Sequence, residues 1–586
     1  MQNCGELAES GQVIRKESFF GEEVEVVYRP ACRPQGCADA EAERYFDSGY
    51  IGFCPPLNTR TYIAEQGILC DQDQPVQLRD GTTIYADIYR PDTLEKIPVI
   101  LSWSYFGKRP GDGLEGEWNV PGVPPGTLSR LMKFESVDPA YWCRMGYAVA
   151  NVDPRGVGHS EGDICFHGSR DARDGYDFIE WIAARPWCNG RVGMAGNSGV
   201  AVPQWAIAAQ QPPHLACLAP WEGTTDLFNE ALYDGGVPGL KFHSFLTQIL
   251  TGCGLVEDIG AMARKYPFFN AYWRDKVPDF SRIDIPCYAT ASWSHFHLKG
   301  AFDGFNRIAS ERKWMRAHRE FEWPDFYTPA NIEDLRRFFD RYLKGIRNGW
   351  ELTPRVRIEV MDAFDCDLQT NRAENEFPLS RTEYRKLFLD ARDMTLSPDP
   401  VETEASAIYD PESGLATFDI AFDESTEITG YMTLHLWVET KDHDEMDLFI
   451  TVQKLSSSDE WLPTNVLGQP HPGAWGKIRA SRRALDPDRS GQNRPILLNQ
   501  GERKLAPGEI VPVEIEIWPT SRIWHPGQRL RLQVAGRYIR EKWFEPLSWE
   551  TDNSGKHVIH TGGRYASCLK IPVIPPKHRD GDVIYR

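Results

Sequence analysis

Arg191-Val-Gly-Met-Ala-Gly-Asn-Ser-Gly-Val200 is the stretch on which the reading of this chain turns. Val192, Met194 and Ala195 make a short apolar strand, and Gly196-Asn-Ser-Gly199 breaks it into a sharp turn with Ser198 at its tip. A serine carried on such a turn at the top of a parallel sheet has a strained backbone and needs small neighbours, which Gly196 and Gly199 supply. That is the setting of a nucleophilic serine. The pattern G-x-S-x-G would place glycine at position 200, where the chain has Val200 followed by Ala201. On local grounds alone Ser198 therefore reads equally as a nucleophile and as an ordinary turn serine.

Working outward, Pro98-Val-Ile-Leu-Ser102, Tyr147–Asp153, Leu215–Pro220 and Ile285–Trp293 are continuous apolar runs, as expected of strands buried on both faces of a parallel sheet. The stretch from Asp171 to Ala184 reads as the helix before the serine strand, and Ile332–Leu343 as another, with Leu335, Phe338, Phe339 and Leu343 on one face. Strands alternating with helices predict a doubly wound α/β domain. Leu78–Pro91 alternates with period two and reads as an antiparallel edge strand. Between Asp226 and Asp284 lies a stretch rich in Phe, Tyr, Gly and His that reads as a helical insertion. From Arg355 onward, 355–360, 431–438, 513–518 and 530–534 all alternate with period two, which predicts a β-sandwich. The division expected is an N-terminal extension without firm motif (1–75), a core in two parts (76–225 and 285–350), the insertion (226–284) and the C-terminal β domain (351–586). No internal repeat or low-complexity tract interrupts it.

Composition narrows the function classes. The 586 residues carry 65 basic against 84 acidic side chains, net −19, which argues against a nucleic-acid or anionic-membrane partner and for a small-molecule substrate. The N-terminus lacks the charged start and apolar core of a signal peptide, and no apolar run approaches a membrane span, so a cytoplasmic protein is expected. Self-association into a homo-oligomer stays open. Thirteen scattered cysteines indicate neither a disulfide framework nor a zinc ribbon. Cys32 and Cys37 have a loose metal-like spacing but no second pair, so no metal is expected there.

A nucleophilic serine needs a histidine base and usually an orienting carboxylate, in the chain order Ser, acid, His. His318, at the end of Lys313-Trp-Met-Arg-Ala-His318, is in the expected place for the base. Three segments carry a wider resemblance: Asp153-Pro-Arg-Gly-Val-Gly-His-Ser-Glu-Gly162, the run Trp181–Ser198, and Pro203-Gln-Trp205. In combination they resemble the bacterial cocaine esterase and X-Pro dipeptidyl-peptidase family of serine hydrolases, over roughly residues 75–580. The resemblance implies an α/β-hydrolase core, a helical cap inserted between core strands and a C-terminal jelly roll, with no cofactor. It implies that Ser198 is the nucleophile, His318 the base, and Tyr105 an oxyanion donor beside the Gly199 N–H. Arg155 and Ser160 read as structural.

Two positions depart from the family. His295 stands where the family has the triad aspartate, and an imidazole cannot orient and stabilise an imidazolium as a carboxylate does. Gly199 stands where members usually carry tyrosine. Asp303 is a candidate substitute acid. His295 and His297 alternate as on one strand face, which suggests a metal pair but lacks a third ligand. Three readings follow: a hydrolase of an ester or amide of a small organic or aminoacyl substrate, a family member turned to proton-transfer chemistry (lyase, isomerase or cyclase), and a catalytically silent binding protein. Retention of Ser198, His318 and Tyr105 favours the first, and the altered acid position the other two. Phe242, His243 and Trp273 of the insertion are the expected substrate contacts.

Overall fold

The computed structural model describes residues 11–32, 54–109, 122–539 and 548–575. Cys37 lies outside them. The chain divides into two compact units, the first comprising residues 1–232, 240–316 and 321–353, and the second comprising residues 233–239, 317–320 and 354–586.

The first unit is built on a mostly parallel sheet. Its strands are β3 (Arg60–Glu65), β4 (Ile68–Gln77), β5 (Thr83–Pro91), β6 (Ile97–Trp103), β7 (Ala148–Asp153), β8 (Cys188–Asn197), β9 (Leu215–Trp221) and β11 (Cys287–Ser292). They lie in the order β3-β4-β5-β7-β6-β8-β9-β11. Pairing is antiparallel as far as β5–β7 and parallel from β7 through β11. All residues of β6, β7 and β11 are buried, as their uninterrupted apolar runs require for strands covered on both faces. Helices α1 (Pro139–Arg144), α2 (Ser169–Ala183) and α3 (Val202–Ala209) connect the parallel strands.

Two expectations are corrected. β5 is antiparallel but interior, because β4 covers the side left open in the sequence reading. Residues before 76 are not a featureless extension: polar β4, Ile-Leu-Cys-Asp-Gln-Asp-Gln-Pro-Val-Gln, hides a strand whose buried Asp71, Gln72 and Asp73 break the hydrophobic alternation. β1 (Val13–Phe19) and β2 (Glu22–Pro30) form a hairpin whose turn residues Phe20 (φ 51°) and Gly21 (φ 85°) both take the positive φ of a type I′ turn.

The segment between β9 and β11 carries α4 (Lys241–Ile249), α5 (Ile259–Lys265) and α6 (Ala271–Asp275). It also contributes β10 (Leu255–Glu257), which pairs with β2. After β11 come α7 (Leu298–Arg307), β12 (Lys313–His318), α8 (Glu322–Tyr327) and α9 (Pro329–Tyr342). Arg316 holds α8 in place: its Nη1 donates to Asp325 Oδ1 at 2.7 Å, and its Nε to the Tyr288 hydroxyl at 3.2 Å. Both partners of this ion pair are buried. Arg316→Met removes the buried cation that neutralises Asp325 and is expected to destabilise the protein by about 3–5 kcal/mol, read as a lower urea midpoint.

The second unit is rich in strands. After Pro354 the only helical turn among the described residues is Ala480–Arg482. The long strand Thr426–Thr440 pairs antiparallel with Val511–Trp524, His557–Thr561 and Cys568–Ile574, and Asp447–Leu455 with Ala474–Arg479 and Arg529–Ala535. Their inward side chains, among them Leu434, Ile450, Ile515, Leu532, Ile559 and Leu569, form one hydrophobic core. No helix among the described residues is long and apolar enough to cross a membrane.

Candidate active site

β8 runs into the elbow predicted at its end. Asn197 is still extended, Ser198 has φ 49°, and a single 3-10 turn, Ser198–Val200, leads into α3. A non-glycine residue at this φ is strained, and such strain gathers where the surroundings impose it. Gly196 is required: at φ 145° a Cβ there would lie 2.3 Å from Val200 Cγ1. Gly199 is required for another reason, since a Cβ on it would lie 2.5 Å from Phe106 Cε2. Phe106 thus occupies the space into which a side chain at 199 would grow, which accounts for glycine at this position. Gly199→Ala is expected to force Phe106 aside and to destabilise by about 1–3 kcal/mol, visible as a lower Tm, with slower covalent labelling of Ser198.

The imidazole at Ser198 is His297. Its Nε2 lies 3.1 Å from Ser198 Oγ, and its Nδ1 lies 2.6 Å from Thr224 Oγ1. His318 was the expected base. It is buried at the last position of β12, and the Ser198 hydrogen bond belongs to His297 instead. His295 and His297 are not on a strand face, because β11 ends at Ser292 and both sit in the turn before α7. That turn, unlike a strand, lets His297 reach the elbow while His295 packs behind it, the two ring centroids 4.9 Å apart.

His295 is enclosed by carboxylates. Its Nδ1 accepts from the His297 backbone N–H at 3.1 Å and lies 3.5 Å from Glu222 Oε2, and its Nε2 lies 3.3 Å from Glu322 Oε1. Asp303, the candidate substitute acid, is on α7 with its charge beside Glu230. The carboxyls at Ser198 are two that the sequence reading missed, Glu135 and Glu322, both lying against the Ser198 hydroxyl. Glu135 Oε2 accepts from the Gly199 N–H at 3.0 Å, and its Oε1 accepts from the Trp323 indole at 3.3 Å. Burial pushes both carboxyls well above the ordinary carboxylate range, and for Glu135 the neighbouring Glu322 charge adds to the push. Burial pulls His297 well below its ordinary value, helped by the His295 and His243 rings. A neutral imidazole able to accept a proton is the result.

Tyr105 does not point its hydroxyl into this group. It donates to Asp171 Oδ2 at 2.7 Å and accepts from the His167 N–H at 2.8 Å. Asp171 is buried and pushed up to about 7 by burial, opposed by donors from Trp103 and Tyr105, so the tyrosine is held by the needs of that carboxyl. Of the expected substrate contacts, Phe242 packs on Phe296 with ring centroids 5.7 Å apart, and His243 is close enough to His297 to lower it. Trp273 is corrected: it is fully buried inside the insertion, its indole donating to Tyr266 O at 2.9 Å and its ring against Phe228. Arg155 pairs with Asp174 and Asp80, and Ser160 bridges Tyr85 N and Asp153 O, both as structural residues.

His295, His297 and Glu322 could hold a metal ion, since one ligand-type atom of each lies within 4.8 Å of the others. Glu322 is the third residue the sequence lacked. In this geometry both His297 nitrogens are engaged, so an ion there would have to displace the hydrogen bond to Ser198 or the one to Thr224.

Residues 80–319 match the X-Pro dipeptidyl-peptidase (S15 family) and residues 348–570 match the X-Pro dipeptidyl-peptidase C-terminal non-catalytic domain. A CocE/NonD family hydrolase from Staphylococcus aureus superposes with a TM-score of 0.81 at 34% identity, covering 86% of this chain and 94% of that one. The chain belongs to the cocaine esterase and X-Pro dipeptidyl-peptidase family of serine hydrolases. Cocaine esterase from Rhodococcus sp. (strain MB1 Bresler) is 24% identical over 595 residues, 85% of this chain and 97% of that protein. An α-amino acid ester hydrolase shares the fold of this family member, with a TM-score of 0.64 at 15% identity over 89% of this chain and 99% of that one. In this family member His295 and His297 follow β11 and Glu322 follows β12.

Proposed function

We propose that this protein hydrolyses an ester or amide of a small organic or aminoacyl substrate through an acyl-enzyme on Ser198. The observation that carries the reading is the hydrogen bond between Ser198 Oγ, on a strained elbow, and His297 Nε2. In the working tautomer His297 carries its proton on Nδ1, donated to Thr224 Oγ1, and its Nε2 lone pair accepts the serine proton. Ser198 Oγ attacks the acyl carbon as that proton moves, the imidazolium returns it to the leaving group, and water activated by the same imidazole releases the acid.

The triad acid is replaced in this reading. His295, at the aspartate position, is held between Glu222 and Glu322, and this group positions the turn that carries His297. The insertion from Asp226 to Asp284 serves as a cap contributing Phe242 and His243, and the C-terminal strands form a jelly roll. A small-molecule substrate fits the acidic net charge of −19 and the aromatic side chains near His297. Intact-mass labelling with a fluorophosphonate tests the reading: one adduct, mapped to Ser198, is expected, and an unlabelled protein refutes the acyl-enzyme.

A further inference from the structure

Glu135 has no part in the mechanism above, yet it grips the nucleophile elbow with both backbone and side chain. Its carbonyl accepts the Asn197 N–H at 3.1 Å and its Oε2 the Gly199 N–H at 3.0 Å. It does so at φ 59°, a left-handed conformation that glutamate rarely adopts and that persists only where neighbours impose it. The side chain is buried and lies against the Ser198 hydroxyl. The Gly199 amide is also the group that should hold the negative oxygen of an acyl-transfer transition state, so Glu135 Oε2 sits at or beside the place of that oxygen. The other expected donor, Tyr105, is bound to Asp171 and His167.

We propose that Glu135 is a further catalytic residue of the Ser198 site, which in its neutral form yields the Gly199 amide to the substrate and donates its own O–H to the oxygen that becomes negative. The proposal rests on the acyl-enzyme reading. When Ser198 Oγ bonds to the acyl carbon, the carbonyl π pair moves to oxygen and the serine proton to His297. Glu135 keeps its proton and shares it as a hydrogen bond. When the C=O re-forms, that bond weakens and the leaving group departs with the proton from His297. An ionised Glu135 would instead face the developing oxyanion charge to charge.

The groups around the carboxyl favour the neutral form. Glu322 of α8 is the nearest acid, and Tyr327 of the same helix is a neutral phenol. Lys133, on the loop that carries Glu135, is close enough for the two charges to interact, and burial pulls that ammonium down to about 8. Trp323 and Gly199 contribute N–H donors that oppose protonation. Burial, the largest influence on Glu135, holds its carboxyl well above the usual carboxylate range.

The sign of the pH effect follows. The working form is protonated, so kcat/KM holds below the raised pKa and falls as pH rises through it. The test follows hydrolysis of 4-nitrophenyl acetate and fluorophosphonate labelling from acid to alkaline pH. Glu135→Gln keeps the shape and an N–H donor that cannot ionise, so its alkaline limb should disappear. Glu135→Ala should lose on the order of 10²–10³-fold across the range. A Gln variant with the wild-type limb, or one that loses as much as Ala at unchanged Tm, overturns the proposal while labelling of the wild type leaves the acyl-enzyme standing. A wild type that is not labelled at Ser198 removes both.

Discussion

Ser198→Ala is expected to lower kcat/KM for an ester substrate by at least about 10⁴-fold and to abolish fluorophosphonate labelling, with little change in Tm. The size follows from the chemistry: without Oγ no acyl-enzyme forms, and only binding and the amide of Gly199 remain to assist water. Stability should hold because the strain of the elbow is in the backbone, with φ 49° at position 198 and Gly196 and Gly199 unchanged. The same variant separates the readings. Natural activity that survives it would remove acyl-enzyme catalysis and leave proton transfer by the buried histidines and carboxyls as the chemistry.

His297→Ala is expected to cost on the order of 10³–10⁴-fold in kcat, whereas His318→Gln should leave the chemical step within about tenfold of wild type. His297 is the imidazole at 3.1 Å from Ser198 Oγ, so its loss removes the base and later the acid. Its pH signature is specific. The neutral form is the working one, and burial with the His295 and His243 rings lowers its pKa well below 6.5. The acid limb of kcat/KM should therefore lie well below pH 6.5. Thr224→Val removes the oxygen at 2.6 Å from Nδ1 and should weaken the working tautomer, lowering kcat with less effect on KM. Equal losses in the His297 and His318 variants would return the base to the position expected from the sequence.

Local pattern was enough to read the fold wherever burial acts on consecutive residues. The apolar runs at 98–102, 147–153 and 215–220 became β6, β7 and β9, and the helix read from Asp171 became α2. Gly196-Asn-Ser-Gly199 announced the elbow because positive φ and close approach leave few residue choices there. β4 escaped because its buried acids are held by ion pairs such as Asp71 with Arg90 and Asp73 with Lys108, and a strand stabilised by charge has no hydrophobic period to read.

The serine elbow, the hydrolase fold and the family were thus legible in the sequence alone, and Arg155 and Ser160, read there as pairing and capping residues, make ion pairs and backbone hydrogen bonds in the structure. Which imidazole meets Ser198 was decided only in three dimensions. His297 follows one core strand and His318 ends another, at plausible distances along the chain, and their difference lies in the path of a turn that no periodicity encodes. Glu135 and Glu322 had no motif to betray them either. They are carboxyls from distant segments, both buried near one hydroxyl, and that meeting is a property of packing, because burial and proximity, rather than residue type, set how a carboxyl holds its proton.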